Sequence, residues 1–487
     1  MPNTLHQPDW KYYMPANRPL RIAVIGSGPA GIYASDALTK SDIDVSVDIY
    51  ERMPAPFGLI RYGVAPDHPR IKGIIKSLHR VLDKPEVRLF GHVNVGEDVT
   101  HDELKEFYDA IIYATGATDD KDLNFPGAEH TIGAGKFVGF YDANPHFDES
   151  WNLDAESVAV IGVGNVGLDI ARVLAKTGDE LLTTEIPDNV YDSLKNNKAK
   201  EVHVFGRRGP AQAKFTPLEL KELNHSDTIE VIVNPEDIQY DEASEDARRN
   251  SKIQDMVCTI LEQYAIADPT DAPHKLYLHF FESPVEVKTD ENGQVTAFIT
   301  ERTELTGDGR VQGTGKLNEW PVQAVYRAVG YKSDALHSLP WDERTNVLPN
   351  VGGRVLTEGP TADGIAGVPG TADPEAEQRE RLPGVYTTGW VRRGPVGLIG
   401  NTKGDANETV ANLLEDHANG IGFDPSKPEE EAVEQWLADK GIAYTTWNGW
   451  YALDKYEREL GESEGRERKK VRSIEEMVKY SNTDQTE

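Results

Sequence analysis

Apolar residues run almost unbroken from Ile22 to Ile25, stop at Gly26, and resume with helical spacing after Gly31. A strand covered on both faces reads as a continuous apolar run, so this pattern predicts a buried strand passing through a turn into a helix. In RIAVIGSGPAGIYASDALTKSDIDVSVDIYE, residues 21–51, a second strand follows the helix and ends in Glu51. The arrangement returns in SVAVIGVGNVGLDIARVLAK, 157–176, as a strand Val158–Ile161, a turn Gly162-x-Gly164-x-x-Gly167, and a helix. The apolar face of that helix carries Leu168, Ala171, Val173 and Leu174, and the next strand, Val202–Phe205, comes after a longer connection, 177–200.

Two further strands end at a glycine, in YDAIIYATGA (108–117) and RLPGVYTTGW (381–390). A glycine after a strand suits a backbone that passes close to another molecule. The expected α/β organisation is therefore one domain formed by 1–118 and 332–487, with a second, 119–331, inserted into it. The stretch 357–380, rich in Gly, Pro, Ala and acids, reads as a solvated loop. The last sixty residues, with PEEEAVEQWLADKG and YERELGESEGRERKKVRS, read as charged surface helices.

Each glycine of the two turns has a physical purpose. Gly26 and Gly162 make the tight turn, Gly28 and Gly164 let backbone approach a pyrophosphate, and Gly31 and Gly167 let helix and strand pack closely. The phosphates would sit at the positive end of the helix, and Glu51, twenty residues past Gly31, is placed to accept a ribose hydroxyl. Two complete units imply two dinucleotides, a flavin that stays and a nicotinamide that exchanges. The second unit departs from the first where its second strand ends, in EVHVFGRRGP (201–210): Arg207 and Arg208 stand where an acid would be expected. An acid there would repel a 2′-phosphate, whereas two guanidiniums offer it a planar, bidentate fit. Charge-assisted bonds of this kind contribute about 1.5–3 kcal/mol each, so the pair predicts NADP rather than NAD.

Composition narrows the chemistry. The 487 residues are 38% hydrophobic and 27% charged, with a formal net charge of −31 that argues against nucleic acid or an anionic membrane as partner. No apolar run approaches the roughly 20 residues of a membrane span. The first twenty residues lack a signal or transit pattern, and the expected compartment is the cytoplasm. A single cysteine, Cys258, excludes an internal disulfide, a CxxC redox pair and a chain-borne iron–sulfur cluster. Electron chemistry must then use a bound cofactor and an external acceptor. No metal site is expected.

These motifs, together with PFGLIRYGVAPDHPRIK (56–72), FGRRGPAQAKFTPLELKEL (205–223) and GWVRRGPVGLIGNTKGDA (389–406), resemble the adrenodoxin reductase type of ferredoxin-NADP reductase, including its bacterial members. The resemblance spans roughly residues 18–415; the 357–380 stretch and the tail after about 425 depart from the pattern of the mitochondrial members. It implies a glutathione-reductase-like two-domain flavoprotein built of two Rossmann-like domains, with an NADP domain inserted into a discontinuous FAD domain and an iron–sulfur ferredoxin as electron acceptor. By this resemblance Ala30, Glu51, Leu59, Val95, Trp390 and the run Gly397-Leu398-Ile399 match FAD-contacting positions. Gly164, Asn165 and Val166 match the NADP turn, Arg207 and Arg208 the 2′-phosphate site, and Glu219 and Gly397 positions near the nicotinamide. His68 and Glu219 match the polar pair kept near the two reacting rings.

The expected cycle is hydride transfer from NADPH to FAD followed by two single-electron transfers to the ferredoxin. A flavin-dependent monooxygenase and a cofactor-binding subunit without turnover are the alternative readings. A ferredoxin is itself acidic, so the reductase needs local basic groups; Arg248, Arg249 and Lys252 are the first candidates and Arg392 and Arg393 the second.

Overall fold

A computed structural model describes residues 18–482 except 363, 366, 367, 369 and 398, and divides the chain into two compact units. The first holds the described residues up to Phe57, then Ile75–Ala117 and Ser333–Trp450. The second holds Gly58–Ile74, Thr118–Lys332 and the chain from Tyr451 onward. The sequence reading places both outlying pieces, 58–74 and 451 onward, in the other domain.

The first unit is built on β1 (Leu20–Ile25), α1 (Pro29–Thr39), β2 (Val45–Glu51), β3 (Val87–Gly91) and β4 (Ala110–Tyr113). Its seven-stranded sheet runs Asn350–Val351, Arg354–Leu356, Arg381–Thr387, β4, β1, β2, β3, the last five mutually parallel. Every residue of β1 and β2 is buried, as the continuous apolar run required. The exception in β1, Arg21, is tolerated because its guanidinium pairs with Asp48 at 2.5 Å, which also accepts from Arg88 at 2.7 Å. An unpaired charge at that depth would cost several kcal/mol.

The second unit holds β5 (Ser157–Ile161), α2 (Asn165–Ala175), β6 (Glu201–Phe205), α3 (Pro217–Glu222), β7 (Ile229–Val233), β8 (His274–His279), β9 (Glu282–Thr289), β10 (Val295–Leu305), β11 (Val311–Trp320) and β12 (Ala324–Arg327). A parallel sheet runs Ile132–Gly133, β12, β5, β6, β8, β7, and β9–β10–β11 form a separate antiparallel layer. Phe205 and Ile161 of the parallel sheet share a buried cluster with Val287 and Phe298 of that layer.

The tail corrects the sequence reading. Its helix Trp447–Glu462 is amphipathic, and Trp450, Leu453 and Glu457 are buried. Glu457 is fully enclosed, taking Arg61 Nη1 at 3.0 Å and Arg468 Nη1 at 2.9 Å. Lys470, also buried, donates to the carbonyls of Arg61 at 2.6 Å and Asp142 at 3.1 Å. A string of charges reads as a solvated face, but these charges are spent on one another inside the second unit. Glu457→Gln should therefore cost about 3–5 kcal/mol, the penalty for breaking a buried pair, and thermal melts followed by circular dichroism check it; a surface acid would change stability by less than about 0.5 kcal/mol.

The 357–380 stretch is likewise not merely solvated. Thr361 donates to the Asn350 carbonyl at 2.9 Å, and Ala362 and Ala376 join Val351 and Leu356 in a small buried cluster.

Candidate cofactor turns and active site

In the first unit, Gly26, with φ +111°, closes the turn after β1: a β-carbon built on it would lie 2.5 Å from the Ala114 carbonyl oxygen at the end of β4. One built on Gly31 would collide with the Gly26 carbonyl and press on Val24. Gly28, the N-cap of α1, differs from both, since a β-carbon there meets nothing within 4 Å. Packing therefore explains two of the three glycines, and the third keeps clear the space at the positive end of α1. The second turn repeats this in detail. Gly162 and Gly167 would collide with the Ala328 and Gly162 carbonyls, while Gly164, the N-cap of α2, again faces open space. These two open cradles fit dinucleotide phosphates.

Glu51 does sit at the end of β2, but the protein uses its carboxylate. Oε2 accepts from the Ser27 amide at 3.0 Å and hydroxyl at 2.6 Å, and Oε1 accepts from the Met53 amide at 3.0 Å. It thus braces the turn, and a carboxylate's remaining lone pairs leave room for a ribose hydroxyl. Ala30 lies in the first turn of α1, and a β-carbon on Gly389 (φ +75°) would stand 2.6 Å from the Ala30 β-carbon, so the Arg381–Thr387 strand end closes on the same turn. Trp390 follows that glycine, Val95 pairs with Val99, and Gly397 and Ile399 lead into the helix Asn401–Ala418. Leu59 belongs to the second unit, unlike the other matched flavin positions, and Leu398 lies outside the described residues.

In the second unit, Asn165 accepts from the Thr216 amide at 2.8 Å, tying the start of α2 to the segment that leads into α3, and Val166 is partly buried beside it. Gly206, Arg207 and Arg208 follow β6. Arg207 is exposed and Arg208 half-buried, and neither guanidinium meets an acid among the described residues. Burial and the neighbouring Arg207 charge both push the Arg208 pKa down. In a chain with a net charge of −31, two adjacent arginines without acid partners among the described residues form a local concentration of positive charge.

His68 is not a simple turn residue. It caps the helix Pro69–Lys72, is 3% exposed, and is ringed by acids: Nε2 lies 2.9 Å from Asp169 and 2.6 Å from Glu219, and Nδ1 lies 2.6 Å from Glu222. Arg172 Nη2 approaches Nε2 at 2.6 Å and also binds Asp67 at 2.8 Å, which takes Lys176 at 2.8 Å. Burial pushes the imidazole pKa down, but hydrogen bonds to Asp169 and Glu219 outweigh burial and the opposing Arg172 charge, and the net effect raises it to about 9. Burial raises the Glu222 carboxyl as well. The ligating atoms of His68, Glu219 and Glu222 lie within 4.8 Å of one another, close enough for a divalent ion. The Arg172 guanidinium also lies at the same nitrogen, a positive charge that any bound cation would have to meet.

Asp169, Arg172 and Glu222 were missed by sequence reasoning, although 169/172 and 219/222 are i,i+3 pairs that share a helix face. A raised imidazole pKa stabilises the folded state fully below the unfolded value near 6.5, and that contribution disappears as pH rises through about 9. His68→Gln should thus cost about 3 kcal/mol at pH 6 and little at pH 9.5. Denaturant titrations of parent and variant at both pH values measure it; a pH-independent difference would contradict a protonated His68.

Two candidate docking groups are corrected. Arg392 is buried and paired with Asp405 at 2.7 Å, and Arg393 reaches the same carboxylate at 2.9 Å. Arg248 is tied to Asp255 at 3.0 Å and Glu262 at 2.8 Å and lies over Tyr240, while Arg249 pairs with Asp246. The helix Glu242–Asn250 thus spends Arg249 on an acid of its own and Arg248 on acids of the next helix, Lys252–Ala265; of the three candidates only Lys252 lacks an acid partner among the described residues.

Two glycine turns at the carboxyl ends of parallel strands, one in each unit, define a two-dinucleotide oxidoreductase class. The family model for pyridine nucleotide-disulphide oxidoreductases matches residues 20–207, although Cys258, the chain's one cysteine, is buried and cannot form a redox pair. The chain is 38% identical to NADPH-ferredoxin reductase FprA of Mycobacterium tuberculosis, over 95% of this chain and 99% of that protein. It is 33% identical to the mitochondrial NADPH:adrenodoxin oxidoreductase of Homo sapiens, over 94% and 91%. A solved structure of M. tuberculosis FprA in complex with NADPH superposes with a TM-score of 0.84 at 38% identity, covering 95% of this chain and 100% of that one. This chain belongs to the adrenodoxin reductase-type family of NADPH–ferredoxin reductases. Coverage of 95% also brings most of the tail within the family match.

Proposed function

We infer that this protein passes electrons from NADPH through FAD to a small iron–sulfur ferredoxin. The observation that carries this is the pair of open glycine cradles, the second accompanied by two arginines without acid partners among the described residues at the end of β6. FAD, once bound, supplies the conversion of a two-electron donor into a one-electron donor.

The first turn and the α1 N-terminus hold the flavin pyrophosphate, Glu51 takes a ribose hydroxyl, and Ala30, Val95, Trp390, Gly397 and Ile399 supply further cofactor contacts. The Gly162–Gly167 turn, with Asn165 and Val166, holds the nicotinamide dinucleotide, and Arg207 and Arg208 take its 2′-phosphate. His68 and Glu219 orient the nicotinamide end and keep local charge balanced. Neither must give up a proton for a hydride to leave, because hydride transfer depends on proximity and alignment. No described helix is long and apolar enough to cross a membrane, and we place the reaction in the cytoplasm, where NADPH is supplied.

Anaerobic titration with NADPH tests the reading. The flavin absorbance should bleach, and added ferredoxin should restore it while becoming reduced. Bleaching reversed only by oxygen and an organic substrate would point instead to a monooxygenase.

A further inference from the structure

The side chains of Arg207 and Arg208 have no acid partner among the described residues, whereas their backbone is hydrogen-bonded at every residue of the turn. That backbone is held by a part of the second unit remote in sequence. Gly206 donates to the His279 carbonyl at 2.9 Å and accepts from the Glu282 amide at 3.0 Å. The Arg208 carbonyl accepts from the Phe281 amide at 3.2 Å. The Arg207 carbonyl accepts from the hydroxyl of Thr303, at 2.8 Å. Thr303 lies on β10, is 6% exposed, and donates its own amide to the Phe281 carbonyl at 2.8 Å. Phe281 stands at φ +59°, a left-handed conformation that a phenylalanine rarely adopts. Its ring also packs where a β-carbon on Gly209 would otherwise go, at 2.5 Å from Cζ.

We propose that Thr303 is a positioning residue for NADPH selectivity, setting the Arg207 main chain and hence the direction of the arginine pair; this rests on the reading that the pair takes the 2′-phosphate. Among the hydrogen bonds given above, the Thr303 hydroxyl supplies the one that a side chain makes to the turn 206–208, at Arg207 itself. The others are main chain to main chain and survive any substitution except proline. Thr303 also joins two functions: its amide holds the strained Phe281 and its hydroxyl holds Arg207, so the antiparallel layer β9–β11 acts as a fixed support for the phosphate-binding turn. An aimed guanidinium pair discriminates between ligands with and without a phosphate only while its geometry is held, because bidentate bonds lose strength steeply with angle.

Thr303→Val removes the hydroxyl and keeps the shape and β-branching. It should raise KM for NADPH about threefold to tenfold, as expected for one lost neutral hydrogen bond, with kcat and the parameters for NADH unchanged. Thr303→Ser should restore the parent values. In an Arg207→Ala, Arg208→Ala background Thr303→Val should have no further effect on NADPH, since the groups it positions are gone. Thermal melts of each variant separate this from loss of folding: Thr303→Val that melts early and loses NADPH and NADH alike overturns the proposal, as does a serine variant that fails to restore, or an undiminished effect in the Arg207→Ala, Arg208→Ala background. If Arg207→Ala with Arg208→Ala itself keeps the preference for NADPH, the phosphate assignment fails. If that pair loses the preference and Thr303→Val does not, only the role of Thr303 fails.

Discussion

Arg207→Ala combined with Arg208→Ala should lower kcat/KM for NADPH by about ten- to several hundred-fold while leaving NADH nearly unaffected. The reason is chemical: only NADPH carries the 2′-phosphate, and each charge-assisted bond to it contributes about 1.5–3 kcal/mol. The structure strengthens this expectation, because neither guanidinium is spent on an acid among the described residues. Arg208 is destabilised by burial and by the charge of Arg207, so removing the pair also removes repulsion and the variant should melt no earlier than the parent. Steady-state kinetics with both nucleotides decide the matter. An equal loss with NADPH and NADH would mean that the arginines do something other than read the phosphate.

A comparison of two glycines gives the second large effect. Gly28→Val should yield a folded protein that has lost its flavin, because the added carbons enter space the protein leaves open at the α1 N-terminus. Gly31→Val should instead damage the fold, since its β-carbon would collide with the Gly26 carbonyl and overpacking of this kind costs about 1–3 kcal/mol or more. Purified Gly28→Val should be colourless with near-parental circular dichroism, and added FAD should restore little absorbance. A yellow Gly28→Val with full activity would remove the cradle from the flavin site. The corresponding Gly164→Val should keep its flavin and lose NADPH binding.

Local pattern was enough for both turns. A continuous apolar strand, three glycines at fixed spacing and a helix form a self-contained unit; the packing reasons for Gly26 and Gly31 hold atom by atom in the structure, and Gly28 faces open space. The Arg207–Arg208 pair could be proposed as a phosphate site for the same reason: that reading depends only on its place after one strand. The single cysteine likewise fixed by counting that no thiol pair could serve the electrons.

Pairings distant in sequence were not legible, and they decide the rest. The pairing of His68 with Glu219 came only through the family resemblance, and nothing in the sequence showed that α2 and α3 also bring Asp169 and Glu222 to the imidazole. Glu457 reads as a surface acid until Arg61, 396 positions earlier, meets it in the interior. Arg392 reads as a free cation until Asp405 closes on it. A charged residue carries no local sign of whether water or a counter-charge will solvate it, because both satisfy the same electrostatic need. The sequence by itself determined which ligands the two turns are shaped for; the tertiary structure alone decided which charges remain free to meet them, since only packing brings each acid to its base.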